Sequence, residues 1–420
     1  MIYPHSNIKE YHHNALYLVV ALSMIFMTLV LAIQPLYLLN ALGLPRENAG
    51  FVNANIQVIT EIVDLLFVGY LGFLSDRFGR IPVMYYGFLV SAISALISAF
   101  SLELGILMGG GGLLIFYVTR AIMSLGSTAV WPQLATLTGD YTDIHSRPRL
   151  LAKVAFMTAF GATLVYAILM QLPKHTGLIP VMLLPVLVAF VGAWLTRHFL
   201  VETSKQLNKN DFPMQQIIHL LKQEKSLRLS FLAAFSSRND MVIIGLFLMT
   251  WFIYFSDLLP GVTHAQAAAQ AGIIIGFIGL TVLASIPIWG YIIEFYGRIP
   301  ALVLGLCLSG TGFVAMGLIL NPLSYWTFLP AFLVGIGQAG CLLAPQTLTL
   351  DVAPEAIRGS VMGAFNTIGS IGIIFFLQAG GLLFDWLSPT APFIFTGIAN
   401  FIIMVYGLTV FDSEKKINSK

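Results

Sequence analysis

An all-α polytopic membrane protein is the fold class this sequence predicts, and three observations predict it. Hydrophobic residues make up 58% of the 420 and charged residues only 10%, whereas a soluble domain carries roughly 25% charged residues. The apolar residues gather into about twelve long runs, each near the length of about 20 residues that a membrane helix needs. A charged hairpin between the second and third runs recurs half a chain later, between the eighth and ninth.

In order, the runs cover 15–39, 50–74, 82–102, 112–137, 150–171, 178–200, 236–258, 268–293, 300–320, 325–349, 359–384 and 392–411. The first is too long for a signal-peptide core and has no small-residue cleavage site, so it reads as a retained span. The one long polar gap, 202–228, holds Lys205, Lys209, Lys222, Lys225 and Arg228, with a short amphipathic piece around Met214 to Leu221. It predicts a cytoplasmic linker between an N-terminal six-helix bundle, 1–201, and a C-terminal bundle with its tail, 229–420. Arg46 and Lys174 fall in loops on one side and Arg120 lies within a span. The rest of the 21 Lys and Arg fall in the alternate loops, the linker or the tails, or, for Lys153, Arg197 and Arg238, in the span ends that adjoin them. Basic residues favour the cytoplasm in short loops, so both termini are expected there, with the chain in the inner or plasma membrane as a monomer.

Composition and motif search also exclude. A net charge of +2 carries no nucleic-acid message. Cys307 and Cys341 lie in apolar runs and read as packing residues rather than a disulfide or metal site. Gly109 to Gly112 is a tight loop and not a phosphate cradle, because no Lys-Ser or Lys-Thr follows. His5, His12 and His13 mark a solvated tail. Asp257, Glu103 and Asp385 lie near outer span ends, where a charge reaches water cheaply. No nucleophile–base pair, cofactor motif or ATP-binding motif is present, so an enzyme is not expected, and transport has to draw on a gradient. Pro35, Pro132, Pro287 and Pro345 fall inside spans, either as ordinary packing residues or as bending points.

The hairpin reads GYLGFLSDRFGRIP from Gly69 to Pro82. Gly72, Asp76, Gly79, Arg80 and Pro82 match Gly290, Glu294, Gly297, Arg298 and Pro300 in the later copy. Such a repeat means two homologous halves. With these residues the chain resembles the major facilitator superfamily of secondary transporters, whose signature loop lies between helices two and three. Arg120 with Gly126 in TRAIMSLGSTA resembles that family's helix-four arginine motif, with Ser124 in place of a usual glycine. Gln34-Pro35-Leu36-Tyr37 is similar to its proline-containing end of helix one, and Phe199 to Thr203 to its sequence after helix six. The acid-to-arginine step from Asp140 to Arg147 recurs from Asp351 to Arg358.

The resemblance implies two pseudo-symmetric six-helix bundles, with substrate bound between them near the midplane and exposed alternately to each side. It also implies that Asp76, with Arg77 and Arg80 as polar neighbours, latches the cytoplasmic side in one access state. An aspartate can accept from the free N–H groups of another helix's first turn, where the macrodipole favours it by about 0.3–1 kcal/mol; helix eleven near Gly359 is the expected partner. The alternative is a merely solvated loop. That alternative is favoured for the second copy, where Phe295 replaces Arg77.

Helix two carries the chemistry. Asn53, Gln57, Thr60, Glu61 and Asp64 fall within an arc of about 100° at the helical period, one polar face on an apolar helix. Glu61 and Asp64 lie about halfway along the span, where a charge costs about 2.5–3.5 kcal/mol on lenient scales and usually serves function. Burial and like charge both oppose ionisation, so one of the two can hold a proton near neutral pH. Asp64 or Glu61 is therefore the expected carrier of a coupling proton; a buried structural pair is the alternative. Arg120, at similar depth, can pair with Glu61, bind an anionic substrate group, or alternate between them. Gln34 and Tyr37 on helix one, Trp251 and Tyr254 on helix seven, Gln338 on helix ten and Asn366 on helix eleven are further cavity candidates, each otherwise a helix–helix contact. The expected function is secondary active transport of a small molecule, proton-coupled, by symport or antiport. Helix five, FMTAFGATLVYAILM, lacks the Gly-Pro motif frequent in the family's drug antiporters. An uncoupled facilitator and a non-transporting receptor of the same fold are the other readings.

Overall fold

Long apolar runs with no water to satisfy their backbone groups must close those bonds internally, and helices do so within one segment. The computed structural model describes residues 8–141, 147–202, 214–354 and 357–418, apart from the side chains of 76, 147–149, 151–152, 359 and 414–418. Among them no strand occurs, and twelve helices are long and apolar enough to cross a membrane. They are α1 Glu10–Asn40, α2 Arg46–Ser75, α3 Arg80–Ala99, α4 Gly112–Asp140, α5 Lys153–Thr176 and α6 Leu178–Phe199. After the central segment come α7 Lys225–Leu258, α8 His264–Tyr296, α9 Arg298–Gly317, α10 Tyr325–Val352, α11 Ser360–Trp386 and α12 Ala391–Ser413.

The seventh span starts at Lys225, earlier than the expected 236. Its serine-rich first turns have low hydropathy yet are buried and helical, because the hydroxyls bond back to the backbone: Ser230 to the Leu227 carbonyl and Ser237 to that of Ala233. The amphipathic piece forms a helix, Met214–Gln223. Ile217 on it is buried against Leu227, Phe231 and Phe365. Of the expected 202–228 linker, 203–213 lie outside the described residues.

The hairpin copies share one backbone form. Gly79 (φ 96°) precedes the helix Arg80–Ala99 and Gly297 (φ 94°) precedes Arg298–Gly317, each helix 20 residues long. A positive φ at this turn is available to glycine at no steric cost.

Contacts divide the chain into two compact units. One is drawn from Met1–Pro45, Ile59–Asn208 and Thr263–Gly272, the other from Arg46–Val58, Lys209–Val262 and Ile273–Lys420. In the first, α3 lies so close to α4 that a Cβ on Gly87 would come within 2.8 Å of the Gly126 carbonyl oxygen. Phe88, Val130 and Leu134 fill the core beside that contact. In the second, α9 meets α10 and α12 equally closely: a Cβ on Gly305 would lie 3.1 Å from the Cys341 nitrogen, and one on Gly310 would lie 3.2 Å from the Gly397 oxygen. Small residues at such crossings bring backbones together where lipid supplies no hydrophobic drive.

Candidate functional site

The polar face of α2 is continuous along one α-helix, Ala49–Phe78. Asn53 is fully buried, its amide donating to the Ala49 carbonyl at 2.8 Å. Gln57, Glu61 and Asp64 are half-buried. Asp64 is met by α4: the hydroxyls of Ser124 and Thr128 both reach its Oδ1. Ser124 Oγ also lies 2.8 Å from the Thr60 carbonyl oxygen. The Ser124 that departs from the expected arginine-motif glycine is therefore the residue that binds the acid. Arg120, one turn earlier on α4 and buried, interacts electrostatically with Asp64. Glu61 and an anionic solute group were the partners expected for Arg120, and Asp64 is a further group that it interacts with.

This arrangement is an acid with two hydroxyl donors and a guanidinium nearby, about midway along a span. It can hold a carboxylate, or accept a proton onto it while the hydroxyls turn to accept. The other candidates are placed differently. Gln34 and Tyr37 are fully buried, and Tyr37 stacks on Phe116 at 5.3 Å with its hydroxyl 2.8 Å from Ser101 Oγ. Trp251 packs against Phe393. Gln338 is buried. Asn366 is exposed and accepts from Arg238 at 2.6 Å. Gln338 and Asn366 belong to the second unit, and Glu61, Asp64 and Arg120 to the first.

Among the hairpin residues, Gly72 is in open space and Arg77 lies over the Phe78 ring at 5.3 Å. Arg80 is buried, and its ion-pair partner is Asp140. In the second unit Arg298 pairs with Asp351 at 2.6 Å, the same two positions of the repeat, so the degenerate copy keeps this bond. Glu294 is exposed. Glu202 accepts from the Ile81 amide at 3.0 Å, capping the first turn of α3. Tyr141 donates to the Val201 carbonyl at 3.0 Å and accepts from its N–H at 2.7 Å. Burial pushes that phenol up to about 12. Arg358 is half-buried. The side chains of Asp76 and Arg147, and the surroundings of Gly359 at the expected latch, lie outside the described set.

Two acids that sequence reasoning passed over are engaged. Asp240 of α7 is fully buried and accepts from Ser309 at 3.0 Å. Asn400 donates to Ser309 and accepts from Ser236. A π-helical turn, Ile244–Leu248, follows it. The run NDMVII held the signal, but it fell at the expected span boundary. Asp385, taken as a hydrated end charge, accepts from two backbone amides of α2, those of Gly50 and Phe51.

Twelve membrane-length helices, a charged hairpin repeated in sequence and backbone, and an acid–hydroxyl–arginine cluster within a span define a polytopic transporter fold. The chain belongs to the Major Facilitator Superfamily, whose family model matches residues 16–375 and 241–420, and it is a transporter of that superfamily. It is 52% identical over 413 residues to the magnetosome protein MamH of Paramagnetospirillum magneticum, covering 98% of this chain and 95% of that one. It is 39% identical to the magnetosome protein MamZ of Magnetospirillum gryphiswaldense over 94% of this chain, which spans 61% of MamZ. Among solved structures, the fold is similar to a point mutant of the nucleoside transporter NupG, with TM-score 0.76 at 13% identity, covering 95% of this chain and 100% of that one. A peptide transporter POT in complex with sulfate gives TM-score 0.72 at 14% identity, covering 97% and 94%.

Proposed function

We propose that this protein moves a small solute across its membrane by proton-coupled alternating access, with residues 1–201 and 229–420 as the moving halves. The observation that carries the reading is Asp64, an intramembrane carboxylate that the Ser124 and Thr128 hydroxyls reach and with which Arg120 interacts electrostatically. An acid at this depth is costly unless it serves a pathway. Hydroxyls can donate to the ionised form and accept from the protonated one, so they stabilise both states of a proton carrier. Glu61, one turn away on the same helix, is the second acid of the relay. Arg120 interacts with the acid and is the group that an anionic part of the solute would compete for. Organic acids, amino acids and metal chelates are the solute classes that fit such a competition. Similarity to two proteins named for the magnetosome supports an inner or magnetosome membrane as the location of this chain, with both termini cytoplasmic.

The test is the whole protein in liposomes under an imposed pH gradient, screened against those three classes, with an internal dye reporting proton movement. Solute and proton fluxes rise together in the native protein, and Asp64→Asn and Glu61→Gln each abolish pH-driven uptake. Full gradient-driven uptake in both variants removes the proton assignment. Uptake indifferent to the gradient in the native protein supports a facilitator instead.

A further inference from the structure

We propose that Asp385 is a gating residue, a latch that ties the end of α11 to the start of α2 and must release for that end of the molecule to open. Its two carboxylate oxygens are divided between two amides: Oδ1 accepts from Gly50 N–H at 2.7 Å and Oδ2 from Phe51 N–H at 2.8 Å. These belong to the first turn of the α-helix that begins at Ala49, whose amides have no partner within their own helix. All of these residues belong to one compact unit.

Placement makes the contact conditional. Asp385 sits in the last turn of its own helix, Arg358–Trp386, where the macrodipole opposes a negative charge. The charge is favoured only while the opposite pole of α2 lies against it. Half-buried, the carboxylate can rehydrate when the helices part. The backbone contact beneath is equally all-or-none. A Cβ on Gly50 would lie 2.8 Å from the Gly381 oxygen, and one on Gly381 would lie 2.8 Å from the Ala54 Cβ. Phe384 closes on the same spot, its Cβ 2.5 Å from where a Gly50 Cβ would lie, so the two glycines make a close seat that leaves no room for an added atom. Within the other unit, polar contacts also join span ends. Gln171 donates to the Ala269 carbonyl at 2.7 Å, and His264 Nδ1 lies 2.7 Å from Asn40 Oδ1. The charge distribution assigns these span ends to the outside.

The latch rests on the alternating-access reading, but its test needs no solute. Hydrogen exchange is followed by mass spectrometry on the full chain in lipid nanodiscs, for the native protein, Asp385→Ala, Asp385→Asn and Gly50→Ala. Exchange in the peptide 46–58 rises by about tenfold or more in Asp385→Ala, with 80–140 at native rates, because only a local opening has been made easier. Asp385→Asn, which keeps one acceptor, falls between. Gly50→Ala, which fills the seat while leaving the carboxylate, also raises exchange at 46–58. Native exchange at 46–58 in Asp385→Ala overturns the proposal, and so does a rise spread evenly along the chain, which marks a loosened fold. Failure of proton-coupled uptake with local exchange as described would leave the latch standing and remove the coupling assignment alone.

Discussion

At the scale of single residues, the two ion pairs of the repeat occupy equivalent positions and differ in what surrounds them. Arg80 is 4% exposed, whereas Arg298 and Asp351 are 43% and 49% exposed. Asp140 is itself 31% exposed, so its removal strands the buried Arg80 guanidinium at a cost below the about 3–5 kcal/mol of a fully buried pair. An exposed pair contributes about 0–1 kcal/mol. Asp140→Ala is therefore expected to lower the unfolding midpoint in detergent clearly, and Asp351→Ala to leave it nearly unchanged, as read by thermal unfolding followed by size-exclusion chromatography. Equal losses would show that sequence equivalence, and not burial, sets the strength. Asp64 shows the same dependence on surroundings. Its place on a polar face of α2 is legible from the helical period, but the donors that engage it come from α4, and Ser124 carried no signal beyond being a departure from a glycine.

At the scale of elements, the two hairpins have the same backbone and different packing. Both Gly79 and Gly297 sit at positive φ, where a side chain costs about 1–3 kcal/mol in strain. At Gly79 a Cβ would also come 2.6 Å from Glu202 Oε2, the oxygen that caps α3, while at Gly297 its nearest neighbour is Pro300 Cδ at 3.7 Å. Gly79→Ala is expected to destabilise more than Gly297→Ala, by about 1 kcal/mol or more from the displaced cap. Shortening the acid with Glu202→Asp in the Gly79→Ala background should recover part of that difference and none of the strain. Identical midpoints for the two alanine variants would contradict the assignment of Glu202 as a cap. The start of α7 makes a related point: hydropathy ended the span at 236, but serine hydroxyls that bond to their own helix let the membrane segment continue back to Lys225.

For the whole molecule, the proposed topology has both termini cytoplasmic, on the strength of twelve candidate spans among the described residues and of the loop charges. A green fluorescent protein fused to either terminus is expected to fluoresce, and alkaline phosphatase inserted after Ser388 to be active, in cells where the chain co-purifies with inner or magnetosome membrane. Fluorescent termini together with inactive phosphatase would break the topology. The reversed pattern would turn the latch at Asp385 to the cytoplasmic side without changing its chemistry.

Span number, the repeat, the family and the polar face of α2 were determined by sequence, because each is a local property: an apolar length, a motif spacing or a helical period. The partners were decided by tertiary structure. Arg80 reads in the chain as a neighbour of Asp76 and folds onto Asp140. Arg120 reads in the chain as a partner for Glu61 or an anionic solute group, and its interaction with Asp64 is one that the helical period did not indicate. Asp385 reads as a hydrated end charge and binds amides more than 330 positions away. A charge in lipid must find compensation somewhere, so its presence predicts that a partner exists. Which partner depends on which helices cross at that depth, and helix crossings are set by small residues on faces that no single segment reveals.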